Sequence, residues 1–173
     1  MITLSNIKTD DRTLLELAIK IKQLCSEFDA LFIMKSRCDI ACLCDADGIC
    51  LSTGDLNITD AKKILKNDII VGMHTDTEKG ALDAIKNGVD YISIRPIFST
   101  PDKPAADTAG LEYAKWVSEN ISIPAFAENI NQSNISRLLL TGISRITIDK
   151  ALTNSISPNA AAKKLAETLK SNS

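Results

Sequence analysis

The chain has 173 residues, of which 45% are hydrophobic and 24% are charged, and its formal net charge is −2. This size and composition are typical of a single globular domain with one core, here spanning 1–173. The weak negative charge gives no attraction to nucleic acid, and no apolar run reaches the roughly 20 residues that cross a bilayer. Because the start of the chain also lacks a secretory signal, we expect a cytoplasmic protein with no nucleic-acid or membrane partner.

Strand and helix patterns alternate along the chain. The first apolar strand is predicted at 2–4, and Thr9 or Asp10 can cap the helix that follows, which has an apolar stripe over 14–25. The continuous apolar run at 30–34 is typical of a strand buried on both faces of a parallel sheet. The other strands are predicted at 48–51, 69–73, 91–94, 123–126 and 145–148.

Helix starts are predicted from capping residues. Thr59 can cap a helix over 60–65, and Thr75 with Glu78 fits a capping box. Asn131 can cap a helix that reaches 140, and Pro158 suits the first turn of a C-terminal helix. Two further helices are predicted at 38–44 and 111–118.

Glycine precedes or opens a hydrophobic strand at Gly48, Gly88 and Gly142, where it can adopt the left-handed conformation that ends a helix. Repeated strand–helix units imply an α/β fold with a parallel sheet. A barrel and an open doubly wound sheet share this pattern. Seven strands are predicted, whereas a closed barrel of this class has eight.

Five cysteines, an odd number, indicate reduced thiols. Four of them are spaced C-x3-C-x-C-x5-C, which lacks the C-x2-C pairs typical of structural zinc sites. Packing in the core is the favoured interpretation, because cysteine is often buried, and metal or redox chemistry stays the alternative. The five are Cys25, Cys38, Cys42, Cys44 and Cys50.

The carboxyl ends of the strands are where ligands bind in either architecture. One of these loops has a distinctive sequence: residues 95–104 read RPIFSTPDKP, which resembles the GPIFxTxTKP segment of thiamine phosphate synthases. The segments ADGICL at 46–51, IVGMHT at 70–75 and ISIP at 121–124 resemble further family segments in the same order. The chain is therefore identified as similar to the thiamine phosphate synthase and thiazole tautomerase family.

The resemblance runs from about residue 2 to about residue 152 and implies a (β/α) TIM-type barrel. It begins at the family's second strand, so the family's first strand and helix have no counterpart. An incomplete barrel of about seven strands is therefore predicted.

The resemblance implies a role in thiamine biosynthesis. Family synthases couple hydroxymethylpyrimidine diphosphate with thiazole phosphate and release pyrophosphate with the help of magnesium, and the tautomerases move a proton on a thiazole carboxylate phosphate. The implied partner is a small phosphorylated pyrimidine or thiazole ligand, and self-association into a homo-oligomer stays open.

The resemblance implies that several residues of the family's diphosphate and magnesium site are replaced in this chain. Ser5 stands at an arginine position, and Lys35 and Ser36 stand at the asparagine and at a magnesium-binding aspartate. Arg37 matches, and Asp55 matches the second metal-binding aspartate. Because a single carboxylate is a poor magnesium site without substrate phosphates, we expect Lys35 to replace the cation and pair with Asp55.

In the phosphate loop, Thr100 and Lys103 match the family, whereas Asp102 replaces a threonine. Glu128 and Asn129 replace the glycine pair of the thiazole phosphate site, and Lys150 replaces its serine. We expect Glu128 and Lys150 to form an ion pair. The candidate catalytic residues are Lys103 and His74, which replaces a serine and whose side chain suits proton transfer near neutral pH.

Three functions follow from this pattern. The first is a thiamine phosphate synthase with an eroded active site. The second is an inactive binding or regulatory paralogue, and the third is a tautomerase-like enzyme that uses His74. The number of replaced phosphate and metal contacts favours weak or absent synthase chemistry.

Overall fold

The computed structural model describes residues 1–5, 8–66, 68–99 and 108–171. The chain folds into two compact units, the first formed by Met1–His74 and Asp83–Asp90 and the second by Thr75–Leu82 and Tyr91–Ser173. None of the helices in the described part of the chain has the length and apolar character needed to cross a bilayer. In chain order the elements are β1 Ile2–Leu4, α1 Asp11–Glu27, β2 Phe32–Lys35, α2 Cys38–Leu43, β3 Gly48–Leu51, α3 Ile58–Ile64, β4 Ile70–Thr75, α4 Glu78–Lys86, β5 Tyr91–Ile94, α5 Gly110–Asn120, β6 Ala125–Ala127, α6 Ile135–Leu139, α7 Lys150–Thr153 and α8 Pro158–Lys170.

Parallel strands form the sheet of the first unit. β1 pairs with β2, β2 with β3 and β3 with β4, each in parallel register. Phe32, Ile33, Met34 and Ile49 are fully buried. The apolar run at the second strand is therefore confirmed as a parallel strand covered on both faces.

The second unit contains β5 and β6, which also pair in parallel, with Ile92 opposite Ala125. The seventh predicted strand, at 145–148, is reduced to one isolated bridge between Ala127 and Ile146. The positive-φ turn at Gly142 precedes it closely, and α7 begins at Lys150, so few residues remain to extend the pairing. The described residues thus form six parallel strands alternating with helices, an α/β fold of the predicted class.

Two predicted helix caps were wrong by two residues. Asn57, not Thr59, caps α3, because its side chain accepts a hydrogen bond from the Asp60 N–H at 2.9 Å. At the start of α4, the Thr77 hydroxyl oxygen accepts a hydrogen bond from the Gly80 N–H at 3.2 Å. Thr75 cannot act as this cap, because it still belongs to β4. In each case a second oxygen-bearing residue lies two positions away, and for α4 the end of β4 at Thr75 decides between them.

Asp10 and the C-terminal Pro158 follow the prediction. Asp10 accepts from the Thr13 N–H at 3.0 Å and caps α1, and Pro158 lies in the first turn of α8. Asn131 instead accepts from the Ser133 N–H, and α6 begins only at Ile135. The asparagine therefore makes a local turn that delays the helix.

Gly88 and Gly142 have φ values of 77° and 87° and so adopt the predicted left-handed conformation. Gly48 has a different role, because it lies within β3. A Cβ atom there would come within 2.5 Å of Ile33 Cδ1 and 2.8 Å of the Ile70 carbonyl oxygen. This glycine allows close strand packing, and Asp45, with φ of 50°, makes the left-handed turn instead.

Carboxylates hold the beginnings of two strand pairs in the first unit. Asp47 accepts from the Phe32 N–H at 2.8 Å, and Asp90 accepts from the Val71 N–H at 2.8 Å. Lys22 of α1 donates to Asp47 at 2.6 Å. Partial burial opposes ionisation of Asp47, but the bonds from Lys22 and Phe32 outweigh it and lower its pKa.

Candidate functional site

The predicted site residues are divided between the two units. Ser5, Lys35, Arg37, Asp55 and His74 lie at or near the carboxyl ends of strands in the first unit. Glu128, Asn129 and Lys150 belong to the second unit. Thr100, Asp102 and Lys103 lie outside the described residues, so the predictions for them stay predictions.

Arg37 is engaged by two carboxylates. Its guanidinium makes a two-point contact with Asp39, at 2.9 and 2.6 Å, and bonds Asp11 at 2.7 Å. These hydrogen bonds raise the pKa of Arg37, and the bond to Asp39 has the larger effect. The guanidinium in turn lowers the pKa of Asp39. Arg37 therefore joins the starts of α1 and α2, and this cluster of one cation and two anions offers no net positive charge to a phosphate.

The side chain of Asp55 is held by its own turn. One of its oxygens accepts from the Ser52 N–H at 2.7 Å, and the Asp55 N–H donates to the Ser52 carbonyl at 2.9 Å. In the described part of the chain, Lys35 and Asp55 form no ion pair, so the predicted pairing of these residues was wrong. The Asp55 carboxylate bonds the backbone of its own turn instead, as aspartate side chains commonly do.

Lys35 ends β2 and is followed by Ser36, whose φ of 67° is left-handed. Such a conformation is uncommon outside glycine. Lys8, which follows β1, is exposed. Neither lysine has an ion-pair partner among the described residues. The first unit therefore carries two lysine charges, at Lys8 and Lys35, that no carboxylate of the described chain offsets.

His74 lies inside β4 and is only 4% exposed. It is thus a buried residue of the strand, whereas the sequence pattern predicts it in the loop that follows. The resemblance places the working histidine of the tautomerases two residues later, at Asp76, which is exposed. A proton-transfer role for His74 stays a prediction.

The residues that the structure describes do not form a magnesium site on their own. Among the described residues, no group of three histidine, cysteine or acidic side chains is arranged to hold a metal ion. At the first unit's strand ends, Asp55 is the carboxylate available, and Lys35 and Ser36 stand where the resemblance implies asparagine and aspartate. Magnesium prefers near-octahedral oxygen ligands, which one carboxylate cannot supply.

The cysteine cluster consists largely of buried side chains. Cys38 and Cys44 are 4% and 5% exposed, and burial raises the pKa of both thiols. Because the thiolate is the form that binds metals and attacks disulfides, a raised pKa disfavours both chemistries. The structure therefore supports the packing interpretation.

Asn129 keeps a glycine-like backbone in the second unit. Its φ of 60° lies in the left-handed region that asparagine tolerates better than most residues. Its carbonyl accepts from the Asn134 side chain at 3.3 Å, and its N–H has no acceptor among the described residues. Asn129, which the resemblance places at a glycine position, therefore offers a backbone amide that could donate to an anion.

Glu128 accepts a hydrogen bond from the Ser93 hydroxyl at 3.1 Å, and its N–H donates to the Ile94 carbonyl. Lys150 opens the short helix α7 and is exposed. The ion pair between Glu128 and Lys150 stays a prediction. The bond to Ser93 shows that a side chain of β5 orients the Glu128 carboxylate.

Arg95 is a further candidate, which is not among the site residues predicted from the sequence. It follows β5 directly, its N–H donates to the Thr75 carbonyl at 3.1 Å, and its side chain is half-buried. The guanidinium forms no ion pair with a described residue. The signal was visible in the motif, because RPIF has arginine where the family segment has glycine, and a new cation at a strand end favours anion binding.

Each unit also contains a groove. One groove lies apart from the strand ends, and the other is lined by carboxylates that would repel an anion. In the first unit, a groove of about 370 Å³ is lined by residues that precede strands, including Asp47 and Ile69. In the second unit, a groove of about 630 Å³ is lined by Tyr113 and Trp116 and by the carboxylates of Asp76, Glu78, Glu112 and Glu119. Neither suits a phosphate, so the strand ends remain the better candidates.

The arrangement of helices, parallel strands and strand-end polar residues can be compared with known proteins. The sequence model described as thiamine monophosphate synthase matches residues 1–152. The chain belongs to the thiamine monophosphate synthase family. Membership confirms the resemblance drawn from the RPIF segment and the segments collinear with it.

Relatives in this family include thiamine-phosphate synthases of cyanobacteria. The protein of Nostoc punctiforme is 35% identical over 161 residues, which cover 92% of this chain and 46% of the relative. That of Prochlorococcus marinus is 37% identical over 154 residues, covering 88% and 44%. The chain thus spans about half the length of the curated relatives it matches.

Solved structures support the thiamine monophosphate synthase fold. A thiamine phosphate pyrophosphorylase from Pyrococcus furiosus superposes with a TM-score of 0.87 at 30% identity, covering 98% of this chain and 81% of that one. A 3-hexulose-6-phosphate synthase from Salmonella typhimurium superposes with a TM-score of 0.71 at 13% identity, over 90% and 81%. The second likeness shows the fold alone, and the two together confirm a TIM-like α/β architecture.

Proposed function

We propose that this chain acts in thiamine biosynthesis as a thiamine phosphate synthase-type protein whose active site is eroded. In the proposed reaction, the thiazole nitrogen forms a bond to the methylene carbon of hydroxymethylpyrimidine diphosphate. The carbon–oxygen bond to the diphosphate breaks, and pyrophosphate leaves with the electron pair. The observation that carries this proposal is the family match over residues 1–152, together with 35% identity to a thiamine-phosphate synthase.

Contacts within the second unit support binding of a phosphorylated ligand. Arg95 offers a guanidinium that no described carboxylate neutralises, and Asn129 offers a backbone N–H in the glycine-like conformation. Both are groups that bind phosphate oxygens through charge-assisted hydrogen bonds. Glu128 opposes this, and its repulsion is reduced to the extent that Lys150 neutralises it.

Contacts within the first unit support the eroded part of the proposal. Arg37 is already bonded to Asp39 and Asp11, and no second carboxylate among the described residues joins Asp55 in a metal-binding group. Lys8 and Lys35 leave some positive charge for a diphosphate. We infer binding of diphosphate that is weaker than in a site with an arginine fork, with less dependence on magnesium.

The direct test is a coupling assay with both phosphorylated substrates, with and without magnesium, in which thiamine phosphate is measured by chromatography. Product well above the buffer blank is expected. The Arg95→Gln variant should lose roughly tenfold in turnover, which corresponds to about 1.4 kcal/mol. Lys164→Gln, on the exposed surface of α8, is the matched control and should match the parent. Equal activity of all three proteins would remove Arg95 from the proposal.

A second candidate, a ligand-binding paralogue without turnover, is favoured by the neutralised Arg37 and by Ser36 at the position of a metal-binding aspartate. Isothermal titration with thiamine phosphate and with pyrophosphate separates it from the first. Binding without product formation supports the paralogue, whereas product formation excludes it. If neither ligand binds and no product forms, both candidates fail.

A further inference from the structure

Tyr113 connects helix α5 to the end of β4. Its hydroxyl donates a hydrogen bond to Thr75 Oγ1 at 2.8 Å, and both residues belong to the second unit. Tyr113 and Thr75 are 7% and 3% exposed, so this bond lies in a low-dielectric environment that strengthens it. Burial also raises the pKa of Tyr113, which keeps the phenol protonated and therefore a donor well above neutral pH. The bond thus fixes the last residue of β4 to α5.

The backbone of Thr75 in turn holds Arg95. The Thr75 carbonyl accepts from the Arg95 N–H at 3.1 Å. Next to Arg95, the carbonyl of Pro96 accepts from the Ala109 N–H at 3.1 Å, and Ala109 directly precedes α5. Helix α5 is therefore attached to the backbone around Arg95 twice, once through Tyr113 and Thr75 and once through Ala109.

The guanidinium of Arg95 depends on these backbone bonds for its direction. Its side chain is half-buried, and it forms no ion pair with a described residue. Arg37, by contrast, is oriented and neutralised by Asp39 and Asp11. An arginine that no carboxylate orients keeps its full charge for a phosphate, but its direction then depends on how firmly its backbone is held. The contacts on either side of Arg95 therefore decide how well its guanidinium is aimed.

We propose that Tyr113 is a positioning residue, which fixes the end of β4 through the Thr75 hydroxyl and thereby holds the backbone from which Arg95 reaches a phosphate group. This inference rests on the proposed role of Arg95 in phosphate binding and deepens it. The hydroxyl pair and the backbone bond to Arg95 form one continuous chain of contacts within the second unit. Loss of the Tyr113 hydroxyl leaves the buried Thr75 hydroxyl without its donor, so the end of β4 gains freedom and Arg95 gains it too.

Hydrogen exchange and titration calorimetry on the complete chain test these contacts. Tyr113→Phe removes the hydroxyl and keeps the ring, so we expect the Arg95 amide to exchange about threefold faster and thiamine phosphate to bind about threefold more weakly. Thr75→Val, which lacks the acceptor oxygen, should have the same effect. Thr75→Ser keeps that oxygen and should bind thiamine phosphate as the parent does.

Thr141→Val is the matched control. It removes another buried hydroxyl of the second unit, which donates to the Leu138 carbonyl at 2.7 Å and has no bond to Thr75 or Arg95. Both the exchange rate of the Arg95 amide and the affinity for thiamine phosphate should stay as in the parent. Equal losses in Thr141→Val and Tyr113→Phe would overturn the inference, because they would show a general effect of lost buried hydroxyls.

A double-mutant cycle shows whether Tyr113 acts through Arg95. Arg95→Gln should weaken thiamine phosphate binding about tenfold, and adding Tyr113→Phe should weaken it no further. A loss from Tyr113→Phe that persists in the Arg95→Gln protein would overturn the inference, as would a Tyr113→Phe protein that matches the parent. Binding that is absent in the parent, or unchanged by Arg95→Gln, would overturn it together with the proposed role of Arg95. Intact binding without product in the coupling assay would contradict the synthase reaction alone, because calorimetry needs no turnover.

Discussion

At the scale of single residues, Asn129 shows how a residue other than glycine can hold a left-handed backbone. The residue has φ of 60°, the conformation that glycine adopts at no steric cost. Asn129→Gly should therefore leave the free energy of unfolding within about 0.5 kcal/mol of the parent, and Asn129→Ala should lower it by roughly 1 kcal/mol. Urea denaturation measures both, and an alanine variant as stable as the glycine variant would contradict this account.

Ser36 offers a test of whether a missing carboxylate limits magnesium binding. The resemblance places a metal-binding aspartate at this position, and the left-handed φ of 67° is one that aspartate tolerates better than most residues. Ser36→Asp adds a second carboxylate to the turn after β2, so we expect magnesium to tighten pyrophosphate binding about tenfold more than in the parent. Titration calorimetry with and without magnesium measures this difference.

The control for that variant is Ser122→Asp, which places the same charge on an exposed residue of the second unit. It should leave the magnesium effect as in the parent. A magnesium response in the control, or none in Ser36→Asp, would show that the missing carboxylate is not what limits metal binding.

At the scale of elements, Gly48 is explained by packing between strands. A Cβ atom at this residue would meet Ile33 Cδ1 at 2.5 Å and the Ile70 carbonyl oxygen at 2.8 Å. The backbone oxygen cannot rotate away, so Gly48→Ala should lower the free energy of unfolding by about 2–3 kcal/mol. Gly54→Ala, in open space, should stay within about 0.5 kcal/mol of the parent. Denaturant unfolding of the two variants measures the contrast, and equal stability would refute it.

The elements that the sequence predicted best are those with a continuous apolar run. The bounds of β1, β3 and β5 follow from the sequence, because each run is closed by polar residues or glycine. Capping residues predicted the starts of helices less reliably. Asn57 and Thr59 both carry a suitable oxygen, and tertiary context, which a local pattern does not contain, chose between them.

The candidate site was predictable only in part for the same reason. Strand ends were located from the chain order, which placed Lys35, Asp55 and Glu128 correctly at the ends of their strands or in the turns that follow. The hydrogen-bond partners of Arg37 and Asp55 were not predictable. Asp39 reaches Arg37 through a local turn, and the Ser52 backbone holds Asp55. Contacts of this kind depend on rotamers and turn geometry that spacing does not encode.

At the scale of the whole molecule, the described carboxylates with shifted pKa values all change in one direction. The pKa values of Asp39 and Asp47 are lowered, the first by its bond to Arg37 and the second, despite partial burial, by Lys22 and Phe32. Exposed Asp10, Asp45 and Asp60 also have lowered pKa values, from bonds to Thr13, Lys66 and Lys63, respectively. On the alkaline side, burial raises the pKa values of Cys38, Cys44 and Tyr113.

These directions predict a stability plateau. A carboxyl group with a lowered folded pKa contributes stability above its unfolded value of about 3.9, and this contribution is lost as the pH falls through the folded pKa. A thiol or phenol with a raised folded pKa contributes stability below its unfolded value of about 8.5 or 10, and loses it as the pH rises toward the folded pKa. The free energy of unfolding should therefore be highest between about pH 5 and pH 8 and should fall on both sides.

Asp47 tests the acid limb of this profile. Its side chain and that of Lys22 are 27% and 23% exposed, so their bond is only partly screened by solvent. Asp47→Asn should lower the free energy of unfolding by roughly 1–2 kcal/mol at pH 7, because the charge-assisted bond to Lys22 is lost. This difference should shrink between about pH 5 and pH 2 as the parent's carboxylate takes up its proton. Asp29→Asn, at an exposed residue with no ion pair in the described chain, should follow the parent across the range. A difference between Asp47→Asn and the parent that stays constant down to pH 2 would show that the Lys22–Asp47 bond does not drive acid unfolding.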